Sequence, residues 1–593
     1  MAESKAQAAD RRSKAEWTTS GEGHPRRWAI LAVLVTSLLV VVLDNTILNI
    51  ALPTIQRDLG ASQSELVWAV DSYILVFASL LFTWGVLGDR YGRKRILVTG
   101  LVIFGLASAA CAFSDSAAML IGFRSLMGVG GAAVLPVTLA IITVVFPPHE
   151  RGKAIGMWAG AVGAAVALGP VLGGLLLENP SWSSWLTGND WGSVFLINIP
   201  IVLIGVIGIL RVVPETKNPN PQALDIPGLL MSIIGLVLLV YGIIHASETK
   251  TFCAASVLVP MLLGILVIAL FLTIETRSSH RSFDVSLFRN RGYAVSLIAV
   301  SLAFFAMSGI TFTLPFYLQV LRGFSTLNAG LCFLPFALGQ LISAPRSAKM
   351  VGRFGYKPVM GTGLFVVGFS LLGLSTIQVD SGLWWLLLLF FFFGLGMGSV
   401  IAPASTVMQN VLPLARAGAG SAVQNTVRQV FGALGVAVIS TLLATQFASR
   451  MRPVLDALPA AFPQEARNTA AESVGQAAAV FSQAAAKGTP GPIIESATTG
   501  MYDAFITASH ITSLVCAVLI FVAAIVVVTM LPMITPPTKG APGPAAPHQS
   551  GTVHRIDSDT RSGADAEAVE LEDSYSAEAA EEFVEGHSKP TDT

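Results

Sequence analysis

The chain has 593 residues, of which 53% are hydrophobic and only 12% charged, and its formal net charge is zero. A soluble domain carries about 25% charged residues. Half that share, with a mean hydropathy of +0.68, leaves too little polar surface for a soluble globule and makes the chain an all-α polytopic membrane protein. Neutrality argues against a basic field that would hold nucleic acid. Cys111, Cys253, Cys332 and Cys516 lie far apart with no Cys-x-x-Cys pair, so they read as buried free thiols, with no metal site or disulfide framework.

Residues 1–27 are polar and mixed in charge, and the apolar run that follows is too long for the core of a cleavable signal peptide. It reads as a retained first span. About 14 stretches of roughly 20 apolar residues follow. They lie near 28–52, 66–88, 96–113, 117–144, 153–177, 192–213, 225–245, 254–274, 293–320, 327–350, 357–376, 383–407, 420–447 and 507–532. Alternate connections carry the Lys and Arg, beginning with Arg90, Arg93, Lys94 and Arg95 and continuing with Arg151, Lys153, Arg211 and Lys217. The positive-inside bias places these connections and both termini in the cytoplasm. Residues 448–506 then form a long outer loop, with an Ala-rich surface helix expected at 470–486. The last segment, 536–593, is Gly/Pro/Ser-rich and acidic, and reads as a disordered tail.

Four segments carry polar chemistry in the first half. Asp44, in Leu43-Asp-Asn-Thr-Ile-Leu, lies roughly 24 Å along its helix at 1.5 Å per residue. An acid at that depth faces a cavity or a partner and is a candidate proton site; the alternative is a helix-end acid bonded to Asn45 and Thr46. Asp71 either shares that cavity or is an interfacial acid beside an aromatic belt of Trp68 and Tyr73. Between Gly85 and Arg95 the chain reads Gly-Val-Leu-Gly-Asp-Arg-Tyr-Gly-Arg-Lys-Arg. Gly85, Gly88 and Gly92 allow a tight turn and close helix approach. Asp89, the one acid among Arg90, Arg93 and their basic neighbours, can accept from a neighbouring helix N-terminus or pair with an arginine, which would latch one conformation. The bland alternative is a charged anchor with a solvated acid. Arg124, alone in the fourth span, must point into the bundle toward an acid, a carbonyl or water.

In the fifth span Gly152, Gly156 and Gly160 recur every four residues, a stripe that lets helices pack closely. Gly163-x5-Gly169-Pro170-x2-Gly173-Gly174 follows, with Pro170 expected to bend the helix. Residues 348–357 echo the Gly85–Arg95 loop, with Gly352 where Asp89 stands. Such doubling points to two homologous halves about a central cavity. Later, Gln424, Asn425 and Arg428 either line the second half's cavity or its mouth, or Arg428 anchors to a phosphate near the start of its helix. Spans seven and eight carry no strong polar motif. No phosphate-binding lysine loop or nucleophile elbow occurs, so the chain does not read as an enzyme and ATP drive is not indicated.

The Gly85–Arg95 loop resembles the signature of the major facilitator superfamily. The Asp44 segment, the Arg124 segment and Gly163–Gly174 resemble motifs of its 14-span drug:proton antiporter branch, as do Phe195–Pro200 and Asp284–Phe288. The resemblance implies two six-helix bundles, over 28–213 and 293–535, with two extra spans and a linker at 214–292. It further implies a monomer in the cell membrane that exchanges protons for drugs, antibiotics or other amphipathic small molecules and needs no cofactor. A proton-coupled importer and a non-transporting sensor or scaffold are the rival readings.

Overall fold

A computed structural model describes residues 23–534, apart from 60, 62, 218–224, 250, 278–284, 413–416, 460–461 and 488. Both tails therefore lie largely or wholly outside the described residues, as does Asp284. The described part is helical, without strands. Fourteen helices are long and apolar enough to cross a membrane: α1 (Arg27–Leu48), α2 (Trp68–Tyr91), α3 (Arg93–Ala112), α4 (Ala117–Val145), α5 (Pro148–Glu178), α6 (Ser193–Val212), α7 (Ile226–Ala246), α8 (Ala255–Arg277), α9 (Arg291–Leu321), α10 (Leu327–Phe354), α11 (Tyr356–Leu374), α12 (Leu383–Val411), α13 (Ala417–Asp456) and α14 (Gly491–Met530).

Local sequence sets many of the ends. Ser116 and Asn290 accept from Met119 N–H and Tyr293 N–H and so cap α4 and α9. Gly92 and Gly355, at φ 114° and 84°, make the abrupt turns from α2 to α3 and from α10 to α11. Pro136 has no N–H to donate, and α4 breaks into two helices at Ala132–Ala133, one turn before it. α9 ends differently: beyond Pro315 its last turn widens into a π-helix, Tyr317–Leu321.

The packing repeats itself. α1 meets α5 and α6, α2 meets α4, and α3 meets α4 and α6; likewise α9 meets α13 and α14, α10 meets α12, and α11 meets α12 and α14. Between the two sets, α2 packs on α13 and α5 on α10, while α4 touches α13 and α12 touches α5. Each contact has its counterpart eight helices later, which is the pattern of two related six-helix bundles. α4 is the most buried span, 89% of its apolar window, and α8 the least at 17%. α7 carries α8 and itself leans on α2 and α13.

The connections depart from expectation in two places. The apolar run of the last span begins near 507, but its helix begins at Gly491, and α13 continues to Asp456. Hydropathy does not see these more polar extensions. The connection between them holds two helices, Gln464–Glu472 and Val474–Ala486, in place of one. Ser473 separates them in extended backbone and caps the second through Gln476 N–H. Cys253 is exposed, so only three of the four free thiols are buried.

Candidate functional site

Four groups of polar or small residues stand out. The first joins α1, α2, α3, α4 and α6. Asp44 and Arg124 are 1% and 0% exposed, and Arg124 Nη1 donates to Asp44 Oδ2 at 2.5 Å. Asn198 Nδ2 donates to Asp44 Oδ1 at 2.8 Å and reaches Ser108 Oγ at 3.0 Å. Arg124 Nε donates to the Ala69 carbonyl at 3.2 Å, and its guanidinium lies 4.5 Å from the Tyr73 ring centre. Both expected kinds of partner, acid and carbonyl, are thus present. Asn45 and Thr46 instead bond back to carbonyls of their own helix, so they do not hold Asp44. Removing one member of such a buried pair costs about 3–5 kcal/mol. Within the cluster Arg124 Nη2 and Asn198 Oδ1 have no partner.

Asp71 is not in that cluster. It shares a helical face with Trp68, Leu75 and Ala78, and that face meets α7: Trp68 stacks on Tyr241 at 6.1 Å, and Leu75 and Ala78 pack with Val240 and Ile244. Tyr73 is buried beneath Arg124, so it does not form an aromatic belt with Trp68.

The second group is the α5 glycine stripe. A Cβ on Gly156 would lie against the Ala344 and Pro345 backbone of α10, one on Gly163 against the Gln340 side chain, and one on Gly174 against Leu327. On its other side, a Cβ on Gly169 would overlap Thr46, and one on Gly173 would touch Ile47. α5 therefore wedges between α10 of the second bundle and the turn of α1 that follows Asp44. It runs through Pro170 without a break. Gln340 Nε2 donates to the Ala159 carbonyl at 3.1 Å, a second tie across this seam.

The third group is the loop. Asp89 Oδ1 accepts from Arg93 Nη2 at 2.7 Å and from Gly418 N–H at 2.9 Å; its Oδ2 accepts from Ala419 N–H at 3.0 Å. The acid thus pairs with an arginine and holds the N-terminus of α13, where the helix dipole favours negative charge. Gly85 lets α13 close in, since a Cβ there would strike Ala422 and Gly418, while Gly88 faces Val137. Arg90 lies over the Tyr91 ring, outside the clamp. Glu215 was not legible in advance. It accepts from Lys94 N–H at 3.1 Å, beside Gly92, and so holds the start of α3 from the α6–α7 connection.

The fourth group crosses the bundles. Thr143 of α4 donates to Gln409 of α12, Gln409 to Gln424 of α13, and Gln424 to Ser405, at 3.1, 3.2 and 2.6 Å. Asn425 bonds the Ser421 carbonyl. Arg428 is 3% exposed between Phe304 and Trp158, which places it away from any phosphate surface. Ser108, Gln340 and Gln409 escaped the sequence reading, and Asn198 entered it only within the Phe195–Pro200 segment, although each is an uncharged polar residue within an apolar span. Among the described residues no cluster of His, Cys, Asp and Glu could hold a metal.

The family model for the Major Facilitator Superfamily matches residues 34–436. The chain is 34% identical to the Multidrug efflux pump LfrA of Mycolicibacterium smegmatis, over 85% of this chain and 96% of that one. It is 32% identical to the Tetracenomycin C resistance and export protein of Streptomyces glaucescens, over 71% and 77%. The solved proton:xylose symporter XylE shares the fold, with a TM-score of 0.53 at 16% identity over 85% of this chain and 96% of that one.

Proposed function

The chain belongs to the Major Facilitator Superfamily, and on that premise we propose that it is a proton-coupled antiporter. It exports drugs, antibiotics or other amphipathic small molecules across the plasma membrane by alternating access. The names of its relatives, a multidrug efflux pump and an antibiotic export protein, support export. The Lys/Arg-rich connections support a cytoplasmic position for the Gly85–Arg95 end and both termini. The bundles 28–213 and 293–535 are the two moving bodies, bridged by 214–292.

The Asp44–Arg124 pair carries the proposal. Protonating Asp44 removes the charge that holds Arg124, which stays cationic and must then find another acceptor. The next turn of α1 packs against Gly169 and Gly173, and the same helix α5 packs against α10. A proton at Asp44 is therefore felt at the seam between bundles. Asp71 serves the α2–α7 surface in this scheme. One proton moving down 100 mV supplies about 2.3 kcal/mol.

The test is drug accumulation in inverted vesicles driven by an interior-acid gradient. Asp44→Asn is expected to bring accumulation down to background while substrate binding persists. Undiminished transport in the variant would sink the proton role, and uptake by right-side-out vesicles under an inward proton gradient would overturn the direction.

A further inference from the structure

Four arginines are buried among the described residues, and three of them hold a hydrogen-bonded partner, although Arg124 leaves its Nη2 unpaired. Arg93 pairs with Asp89, Arg124 with Asp44, and Arg151 bonds the Phe146 carbonyl and Asn410 Oδ1. Arg428 is the exception. Its Nε is buried with no hydrogen-bond partner, and no carboxylate among the described residues pairs with it. Its neighbours are ring faces, with the guanidinium carbon 4.7 Å from the centre of Phe304 on α9 and 5.7 Å from that of Trp158 on α5. Aromatic faces attract a cation and offset part of its desolvation, but they accept no hydrogen bond along the guanidinium edge. An uncompensated charge within the membrane is expensive and marks a ligand pathway.

We propose that Arg428 is the recognition point for anionic, flat aromatic substrates. This rests on the antiporter reading and names the substrate class of that path. A carboxylate or phenolate oxygen takes the N–H groups that the protein leaves unpaired, in the charge-assisted geometry at which guanidinium excels. The substrate's ring system lies along Phe304 and Trp158, one from each bundle, so a seated ligand touches both moving bodies. One turn earlier on α13, Asn425 Oδ1 also lacks a partner and accepts from a ring hydroxyl. Cationic drugs meet the opposite situation, because Asp44 and Asp89 are both occupied by arginines, the third buried acid, Glu275, lies on the outlying α8, and Arg428 repels them.

Fluorescein and tetramethylrhodamine methyl ester share a xanthene ring and differ in the sign of their charge. Their binding to the purified full-length protein in neutral-lipid nanodiscs, followed by fluorescence anisotropy with empty nanodiscs as blank, tests the assignment without any proton gradient. The wild-type protein is expected to bind fluorescein about tenfold tighter than the cationic dye. Arg428→Gln should lose that preference, and Arg428→Lys should keep part of it. Equal or tighter binding of the cation by the wild type, or undiminished fluorescein binding by Arg428→Gln, overturns the proposal. Should the Gln variant aggregate, Phe304→Leu retains the charge and is expected to weaken fluorescein about threefold; unchanged binding there, like a wild-type preference for the cation, counts against it. A protein that exports yet prefers the cation refutes this assignment and leaves antiport standing. One that binds fluorescein but moves nothing in energised vesicles does the reverse.

Discussion

The two seams between the bundles are related by the internal repeat, yet they are held by different forces. On the α2–α13 side a carboxylate, Asp89, collects an arginine and two backbone N–H groups. On the α10–α5 side the matching position is Gly352, which is exposed, and the contact is mainly close packing, such as Gly156 against the Ala344 backbone and Gly152 against Ala348, with one neutral hydrogen bond from Gln340 to the Ala159 carbonyl. One seam depends on charge and direction, the other chiefly on shape. A directional contact breaks once its groups move apart by an ångström or so, whereas small-residue packing tolerates sliding. The duplicated fold therefore has a clasp on one side and a bearing surface on the other.

Substitutions should separate these roles. The largest effect is expected from Gly156→Val, because backbone rather than a flexible side chain lies in its way. Overpacking of this kind costs about 1–3 kcal/mol or more, so transport in vesicles should drop by about tenfold or more; normal transport would show that the α5–α10 seam need not close tightly. Asp89→Asn removes a charge-assisted clasp of about 1.5–3 kcal/mol. It should shift the population toward the state open at the loop end by about tenfold, read as distances between spin labels on the two bundles. An unchanged distance distribution would make the clasp mere anchoring. The smallest effect belongs to Gly352→Asp, which restores the missing acid. A Cβ there meets nothing, so transport should stay within about twofold. A large gain or loss would mean that the second seam can be clasped as well.

The sequence discloses the one-dimensional features of this fold and hides the two-dimensional ones. Span positions follow from apolar length, and the Asp89 geometry was partly legible because its glycines and its arginine are local, although the α13 N-terminus it holds lies 329 positions away. Asp44 and Arg124 each stood out as a charge in lipid, but their pairing joins residues eighty positions apart, and no local pattern encodes it. Asp71 is harder to place: its depth is readable from the sequence, whereas the direction it faces depends on α7, which has no polar motif to advertise it. The ends of α13 and α14 were missed because more polar helix continues where hydropathy stops.

The clasp has a consequence for how fast the molecule can cycle. Asp89 and Arg93 sit in the same bundle, at the end of α2 and the start of α3, so they travel together when α13 departs. Separation breaks only the bonds to Gly418 and Ala419 and leaves the carboxylate with its counter-ion. The freed N–H groups at a helix terminus are easily wetted. An opened state would therefore carry no bare buried anion at Asp89, and the clasp's share of the barrier would be that of two exchangeable hydrogen bonds rather than of an ion torn from its partner.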